Sequence, residues 1–221
     1  PKPLLMPLSG GYRKTPVMQN GADVYCDTAI ICRLIDRLYP DSTIYPEAFD
    51  AANNALANWT DTFFFTVAVA IAFQPKAMID NPLFSDPEAA AAFMADRAEL
   101  SKGGLQIRME FEMAMPYFLA HMKHLDKQLS DGGFLFGDKP AAADFSTYHC
   151  CWFVYSRDAI RDMLDPFPNV VSWIQRMMAF GHGNVTHITG DAALDIASKA
   201  EPLGDEVMGS MHPGELKPGD D

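Results

Sequence analysis

Residues 10–28, GGYRKTPVMQNGADVYCDT, contain the signals that decide the fold at the start of this chain. Pro16 has no backbone N–H and holds the preceding residue extended, so it borders the start of a strand. The turn signal Asn20-Gly21 then leads into a second short run, residues 22–25. This pattern predicts a β-hairpin.

A helix follows the hairpin. Asp27 and Thr28 stand where a helix N-cap is required, apolar residues recur at helical spacing over residues 30–38, and Pro40 ends the pattern. A helix N-terminus with free amides and two side-chain oxygens also suits an anion. The residues alone leave two interpretations open: Asp27 and Thr28 only cap the helix, or they also hold an anionic ligand.

The rest of the chain is predicted to be helical. The patterns cover residues 47–73, with a possible kink near Trp59, then residues 89–100 and residues 105–129, with a kink at Pro116. The Gly-rich, Pro-rich and acidic residues 181–221 predict an extension with one short helix over residues 192–200.

Composition and charge narrow the class of protein. A chain of 221 residues that is 48% hydrophobic can bury a core, and its formal net charge of −12 argues against nucleic acid or an anionic membrane as partner. The longest apolar stretch, residues 63–73, is too short to span a bilayer. Four cysteines without a C-x-x-C motif indicate a reducing compartment. His121 and His124 could share a metal ion, but no third metal ligand lies at a matching spacing. We therefore expect a soluble cytoplasmic protein without a metal.

Three stretches together resemble the cytosolic glutathione S-transferase family. They are residues 10–28, residues 134–145 with the sequence FLFGDKPAAADF, and the motif P-x-V-x-x-W that begins at Pro168. The resemblance covers about residues 5–180. Within the second stretch, Ala141 stands where the family has a capping Ser or Thr, a loss of about 0.5–2 kcal/mol, and Asp144 has a structural role.

The resemblance implies a mainly α fold with two domains and an extension. Residues 1–40 would form a partial thioredoxin-like α/β domain that binds glutathione, residues 47–180 the all-α C-terminal domain of the family, and residues 181–221 the acidic extension. In the family, a βαβ segment precedes the opening stretch and carries the Tyr, Ser or Cys that stabilises the glutathione thiolate. This sequence lacks that segment and Tyr12 is a poor substitute, so the catalytic residue is unknown.

The resemblance also implies a glutathione site. The backbone beside a cis-proline, here Thr15-Pro16, would pair with the cysteinyl part of glutathione. Asp27 and Thr28 match the acidic residue and hydroxyl that hold its γ-glutamyl end in the family.

Four aromatic residues are candidates for an electrophile pocket because of their helical positions and their type: Trp59, Phe63, Tyr148 and Trp152. Taken singly, each is explained as well or better by packing in a core.

The implied function is a glutathione transferase that conjugates or reduces small hydrophobic electrophiles, with glutathione as co-substrate, in detoxification. Family members form homodimers, so a homodimer is expected. The alternative is a module of the same family that binds glutathione or a partner protein without turnover.

Overall fold

The structure is a computed structural model, and it describes residues 3–78, 86–100, 102 and 108–203. Two strands form one antiparallel sheet, β1 (Val17–Asn20) and β2 (Asp23–Cys26). The helices are α1 (Thr28–Leu38), α2 (Asp50–Trp59), a π-helical turn (Thr60–Phe64), α3 (Phe65–Ala72), α4 (Pro75–Met78), α5 (Pro87–Leu100), α6 (Phe111–Gln128), α7 (Ala142–Tyr155), α8 (Pro168–Met178) and α9 (Gly190–Lys199). Short 3₁₀ helices lie at Pro40–Ser42, Glu47–Phe49, Leu129–Asp131 and Arg161–Leu164. The predicted fold class is confirmed: the chain is mainly helical, with a small N-terminal sheet.

The chain divides into two compact units. One contains Pro1–Thr43 together with His182–Asp221, and the other contains Ile44–Gly181. The first unit is therefore assembled from two segments that are far apart in sequence.

The hairpin of the first unit turns one position later than the Asn-Gly signal suggests. Asn20 pairs with Asp23, so the two loop residues are Gly21 and Ala22. Gly21 has φ +62°, while Ala22 is not among the residues with positive φ. A glycine at the first loop position is the choice for a two-residue hairpin turn of this kind, because it adopts positive φ without steric cost.

Helix α9 and Leu203, from the C-terminal segment of the first unit, are hydrogen-bonded to side chains of both hairpin strands. The Gln19 Nε2 group donates to the carbonyl of Ala193 on α9 at 2.9 Å and to its own loop at Gly21. The Leu203 N–H donates to the Asp23 carboxylate at 3.0 Å. The helix predicted over residues 192–200 is thus present as α9, although its contact with the hairpin has no local signal in the sequence.

The helical unit is organised around α3. This helix packs against both α6 and α7, while α2 packs against α7 and α6 against α8. The face of α6 predicted to be buried is confirmed, since Phe118, Met122 and Leu125 are at most 2% exposed. A carboxylate joins α6 to the start of α8, where Asp126 accepts hydrogen bonds from the amides of Asn169 and Val170.

Within the described residues, the helical stretch Glu47–Ala72 is long and apolar enough to cross a membrane by length and composition alone. Its residues Phe64, Val67, Ala68 and Ile71 are fully buried against the rest of the helical unit. These four residues therefore belong to the core of the helical unit. The π-helical turn lies at the position of the predicted kink.

The N-terminus of α7 corrects the expectation that Ala141 leaves this helix poorly capped. The amide of Ala142 donates to the Ile44 carbonyl at 2.8 Å, and the amide of Ala143 donates to Oδ1 of Asn53 at 2.9 Å. Asn53 is fully buried and its Nδ2 group also donates to the Ile44 carbonyl. Because the first amides of the helix have partners from elsewhere in the chain, the loss of the hydroxyl cap is offset.

Asp144 has the structural role predicted for it. Its Oδ2 accepts from the amide of Ala141 at 2.9 Å, and its Oδ1 accepts from the amide of Leu135 and from the indole N–H of Trp173. Burial raises the pKa of this carboxyl, while the three donors and the charge of Arg176 oppose that rise. Asp144 therefore connects the start of α7 to α8 and to the preceding loop.

Candidate functional site

The open end of the hairpin brings two candidate glutathione-binding segments together. The last ladder pair is Val17 with Cys26, so Pro16 and Asp27 are the next residues outward on the two strands. The Thr15-Pro16 peptide bond is cis, as the resemblance implies. Eleven positions apart in sequence, Pro16 and Asp27 become neighbours because the hairpin folds the chain back on itself.

Asp27 occupies an unusual backbone conformation. Its φ is 87°, and it is the single residue other than glycine with positive φ among those that the structure describes. A non-glycine residue at positive φ costs of order 1–3 kcal/mol and is maintained where its surroundings enforce it. Here the residue leaves β2 and turns directly into α1, which requires a sharp change of direction.

The same residue caps α1, as predicted from the sequence. Its Oδ1 accepts from the Ala29 amide at 2.9 Å, and its carbonyl accepts from the Ile31 amide. Oδ2 makes no hydrogen bond to any residue that the structure describes. Both Asp27 and Thr28 are solvent-exposed, so one carboxylate oxygen and the Thr28 hydroxyl are accessible at a helix N-terminus.

Tyr12 lies close enough to the open end of the hairpin for the charge of Asp27 to affect its pKa. Partial burial raises the pKa of the phenol, and the Asp27 carboxylate and the Cys26 side chain raise it further. The phenol is protonated at neutral pH and can donate a hydrogen bond. Tyr12 was predicted to be a poor substitute for the thiolate-stabilising residue of the family because it precedes the Pro16 turn, and its proximity to Asp27 had no signal in the sequence.

Among the four aromatic candidates, the structure shows a ring contact between Trp59 and Phe63, and Trp59, Phe63 and Tyr148 all pack against the core of the helical unit. Trp59 contacts Phe63 with ring centroids 5.8 Å apart, whereas Tyr148 contacts Trp173 and Trp152 contacts Phe153. Among the rings of the described residues, none of these contacts joins the first pair to Tyr148 or Trp152. Trp152 is 41% exposed, so its indole is accessible from solvent.

Buried cysteines on α7 are not candidate nucleophiles. Cys150 is 1% exposed and Cys151 is fully buried, which confirms that they pack as small apolar side chains. Burial, and next the Asp61 carboxylate, raise the pKa of Cys150 to about 12. Burial also raises the pKa of Cys151. A thiol with such a pKa is protonated at neutral pH and is a poor nucleophile.

The residues that the structure describes contain no group of three or more His, Cys, Asp or Glu side chains placed to hold a metal ion. His121, one of the two histidines considered for metal binding, packs edge-on against the stacked rings of Trp59 and Phe64, with centroid distances of 4.9 and 4.4 Å.

Comparison with known proteins agrees with this architecture. Residues 88–176 match the family model for the glutathione S-transferase C-terminal domain. The structure is similar to that of a GST-like protein from Pseudomonas syringae, with a TM-score of 0.76 and 35% sequence identity. That match covers 98% of this chain and 67% of the Pseudomonas chain. The chain belongs to the glutathione S-transferase family.

A more distant structure has the same fold. The beta-etherase LigF from Sphingobium sp. strain SYK-6 is 17% identical, with a TM-score of 0.52, and the match covers 79% of this chain and 77% of that one. A search of curated proteins found no match.

Proposed function

We propose that this protein is a glutathione transferase whose glutathione-binding residues lie at the open end of the hairpin. The observation that carries the proposal is the pairing of Val17 with Cys26, which makes cis-Pro16 and the exposed N-cap Asp27 adjacent. Family membership supports glutathione as the co-substrate. The second substrate would be a small hydrophobic electrophile, which the protein conjugates or reduces in cytoplasmic detoxification.

Each site residue has a defined chemical role in this proposal. The γ-glutamyl end of glutathione carries an ammonium and a carboxylate. The accessible Oδ2 of Asp27 would accept from the ammonium, while the Thr28 hydroxyl and the N-terminus of α1 would donate to the carboxylate. The backbone of Thr15 beside cis-Pro16 would pair with the cysteinyl part. The residue that stabilises the thiolate is not assigned.

Local charge favours this site in an acidic protein. Arg13 and Lys14 directly precede Thr15 in the sequence, so two cationic residues adjoin the proposed site along a chain with a formal net charge of −12. Attraction at close range is screened less than the field of distant charges, so these two cations offset the overall repulsion of an anionic peptide.

The substitution Asp27→Asn separates capping from ligand binding. Asparagine caps helices as well as aspartate and tolerates positive φ, so stability should change little. Loss of the charged acceptor should weaken glutathione binding roughly tenfold or more, since hydrogen bonds to charged groups contribute about 1.5–3 kcal/mol. Isothermal titration calorimetry measures the glutathione affinity of the wild type and of Asp27→Asn. An unchanged affinity would show that Asp27 only caps α1.

The matched control is Thr189→Ala. Thr189 caps α9 in the same unit through a 3.1 Å hydrogen bond from the Ala192 amide. Its loss should reduce stability by about 0.5–2 kcal/mol and leave glutathione affinity unchanged.

Conjugation of 1-chloro-2,4-dinitrobenzene then tests turnover: glutathione binding without conjugation would favour the non-catalytic alternative.

A homodimer belongs to the same proposal and is supported by the apolar side chains on α1. Ile30 is 51% exposed, Ile35 43% and Leu38 46% in the single chain. A second copy could cover this surface. Ile30→Lys should therefore yield monomers in analytical ultracentrifugation, whereas Ile196→Lys, at a 45% exposed position on α9, should not. A wild-type chain that sediments as a monomer would contradict this.

A further inference from the structure

The hairpin carries the proposed glutathione site at one end and is attached to the C-terminal segment of its unit at the other. Its ladder runs from the pair Val17 with Cys26 at the open end to the pair Asn20 with Asp23 at the closed end. At about 3.4 Å per residue, the two ends lie about 10 Å apart. An influence of the closed end on the site is therefore transmitted through the strands.

Burial does little to fix the register of this ladder. None of the residues of β1 or β2 is buried. Register is strongly specified where one face of a strand is buried, because a slip of one residue would then expose the apolar side chains. An isolated two-stranded hairpin is also marginally stable at best in water. Contacts from outside the hairpin are therefore needed to hold it in one register.

Two side chains near the turn supply such contacts. The Gln19 Nε2 group donates to the carbonyl of Ala193 on α9 at 2.9 Å and to the carbonyl of Gly21 in its own turn at 2.9 Å. The Asp23 carboxylate accepts from the Leu203 amide at 3.0 Å. Because Gln19 lies on β1 and Asp23 on β2, each strand has its own hydrogen bond to the C-terminal segment.

The turn also packs closely against the end of α9. A Cβ atom placed on Gly21 would lie 3.3 Å from the Cβ atom of Ala200, the C-cap residue of this helix. Close packing of this kind restricts movement of the turn toward α9. The closed end of the hairpin is thus held by two hydrogen bonds and by a packing contact.

The proposed site depends on the register of the whole ladder. Pro16 and Asp27 are eleven positions apart in sequence and are neighbours only in the observed pairing. A slip or fraying of the ladder would separate the backbone proposed to pair with the cysteinyl part of glutathione from the carboxylate proposed to accept from its ammonium. A contact that holds the register at the closed end therefore acts on affinity at the open end.

We propose that Gln19 and Asp23 are positioning residues for the glutathione site. Neither side chain touches glutathione; each holds one strand against the C-terminal segment, so that Pro16 and Asp27 stay adjacent. The inference rests on the proposed function, because it concerns the affinity of the same site. Ligand binding at the open end and attachment at the closed end are then linked, and each strengthens the other.

The test removes both hydrogen bonds to the C-terminal segment and measures glutathione affinity by isothermal titration calorimetry on the full chain. In Gln19→Met/Asp23→Ala, affinity should fall roughly tenfold, as expected for the loss of two such hydrogen bonds. Asp23→Asn keeps an oxygen that accepts from the Leu203 amide, so it should bind glutathione like the wild type. Since Asp23→Ala and Asp23→Asn remove the same charge, the difference between them reports the hydrogen bond.

Two controls separate positioning from stability. Gln128→Met removes a 2.8 Å side-chain hydrogen bond to the Leu135 carbonyl in the helical unit. Thr189→Ala removes the side-chain cap of α9 and neither of the hydrogen bonds to the hairpin. Both should lower stability in urea unfolding and keep the wild-type affinity for glutathione. An affinity that falls as far in these controls as in Gln19→Met/Asp23→Ala would show a general effect of stability and overturn the proposal.

Amide hydrogen exchange followed by NMR gives a second readout, which a purely structural role would not change. Saturating glutathione should slow exchange of the Leu203 amide, which donates to Asp23 at the end of the ladder farther from the site. The amide of Asn169 also donates to a carboxylate, that of Asp126 in the helical unit, and its exchange should be the same with and without glutathione.

The outcomes distinguish this inference from the proposed function. A wild type that does not bind glutathione overturns both. If the wild type binds glutathione and Asp27→Asn weakens that binding, the proposed function stands. In that case an unchanged affinity in Gln19→Met/Asp23→Ala, or an unchanged exchange rate of the Leu203 amide at saturation, overturns the positioning role alone.

Discussion

His121 should make the stability of the helical unit fall steeply in mildly acidic solution. Its ring packs edge-on against the stacked rings of Trp59 and Phe64, and its buried Nε2 atom has no hydrogen-bond partner among the described residues. Burial, and next the charge of His124, lower the pKa from 6.5 to about 4. The folded protein therefore keeps this imidazole neutral at a pH where the unfolded chain already protonates it.

The sign of the effect follows from proton binding. As pH falls below 6.5, the unfolded state binds a proton at His121 that the folded state does not bind until the pH approaches about 4. Each pH unit between the two pKa values changes the free energy of unfolding by about 1.4 kcal/mol. The whole gap between the pKa values therefore corresponds to about 3 kcal/mol, and about 2 kcal/mol of this stability is lost between pH 7 and pH 5. Stability is retained above pH 6.5 and lost below it.

Urea unfolding followed by far-ultraviolet circular dichroism at several pH values measures this loss. His121→Phe keeps an aromatic ring against Trp59 and Phe64 and removes the titrating group, so it should lose about 2 kcal/mol less than the wild type between pH 7 and pH 5. The control His124→Gln, at an exposed position, should retain most of the wild-type dependence. If wild type and His121→Phe lose the same free energy over this interval, the reasoning is refuted.

Three further substitutions test contacts that organise the fold. Asn53→Ala should cost about 2–4 kcal/mol in urea unfolding, because it leaves the buried Ala143 amide without its acceptor and removes packed volume. Asp144→Asn should cost about 1.5–3 kcal/mol by the same assay, since an amide cannot accept from all three of its N–H donors. Gly21→Ala should lower the thermal midpoint, with a cost of about 1–2 kcal/mol, because alanine is strained at φ +62° and its Cβ would lie 3.3 Å from Ala200. An unchanged midpoint for Gly21→Ala would show that the turn adapts.

Local signals in the sequence were sufficient for most of the secondary structure. The hairpin, α1 with its Asp27 cap and its end before Pro40, and the buried face of α6 were all predicted from nearest neighbours along the chain. The turn position was wrong by one residue, because Asn20 pairs across the ladder and leaves Gly21 to supply the positive φ. The predicted interruption at residues 101–104 lies mostly outside the described residues, and the predicted start of the 105–129 helix was wrong at residues 108–110, because α6 begins at Phe111.

Long-range partners were not predictable from the sequence. Ala141 indicated a weak helix start, but the acceptor for Ala143 is Asn53, 90 positions away in the chain. For the candidate glutathione site, the residue types came from the resemblance, and the hairpin register adds that Pro16 and Asp27 are neighbours.

The hairpin's attachment to α9 has a consequence for synthesis on the ribosome. Gln19 and Ala193 are 174 positions apart, and Asp23 and Leu203 are 180 apart. At about 5–20 residues per second, the hairpin emerges roughly ten to thirty seconds before the partner that completes its unit. Closing so long a loop from an unfolded chain costs about 4–5 kcal/mol, and prior folding of the intervening helical unit lowers that cost. The hairpin is therefore synthesised well before the contacts with α9 and Leu203 that hold it, and the proposed glutathione site is completed late.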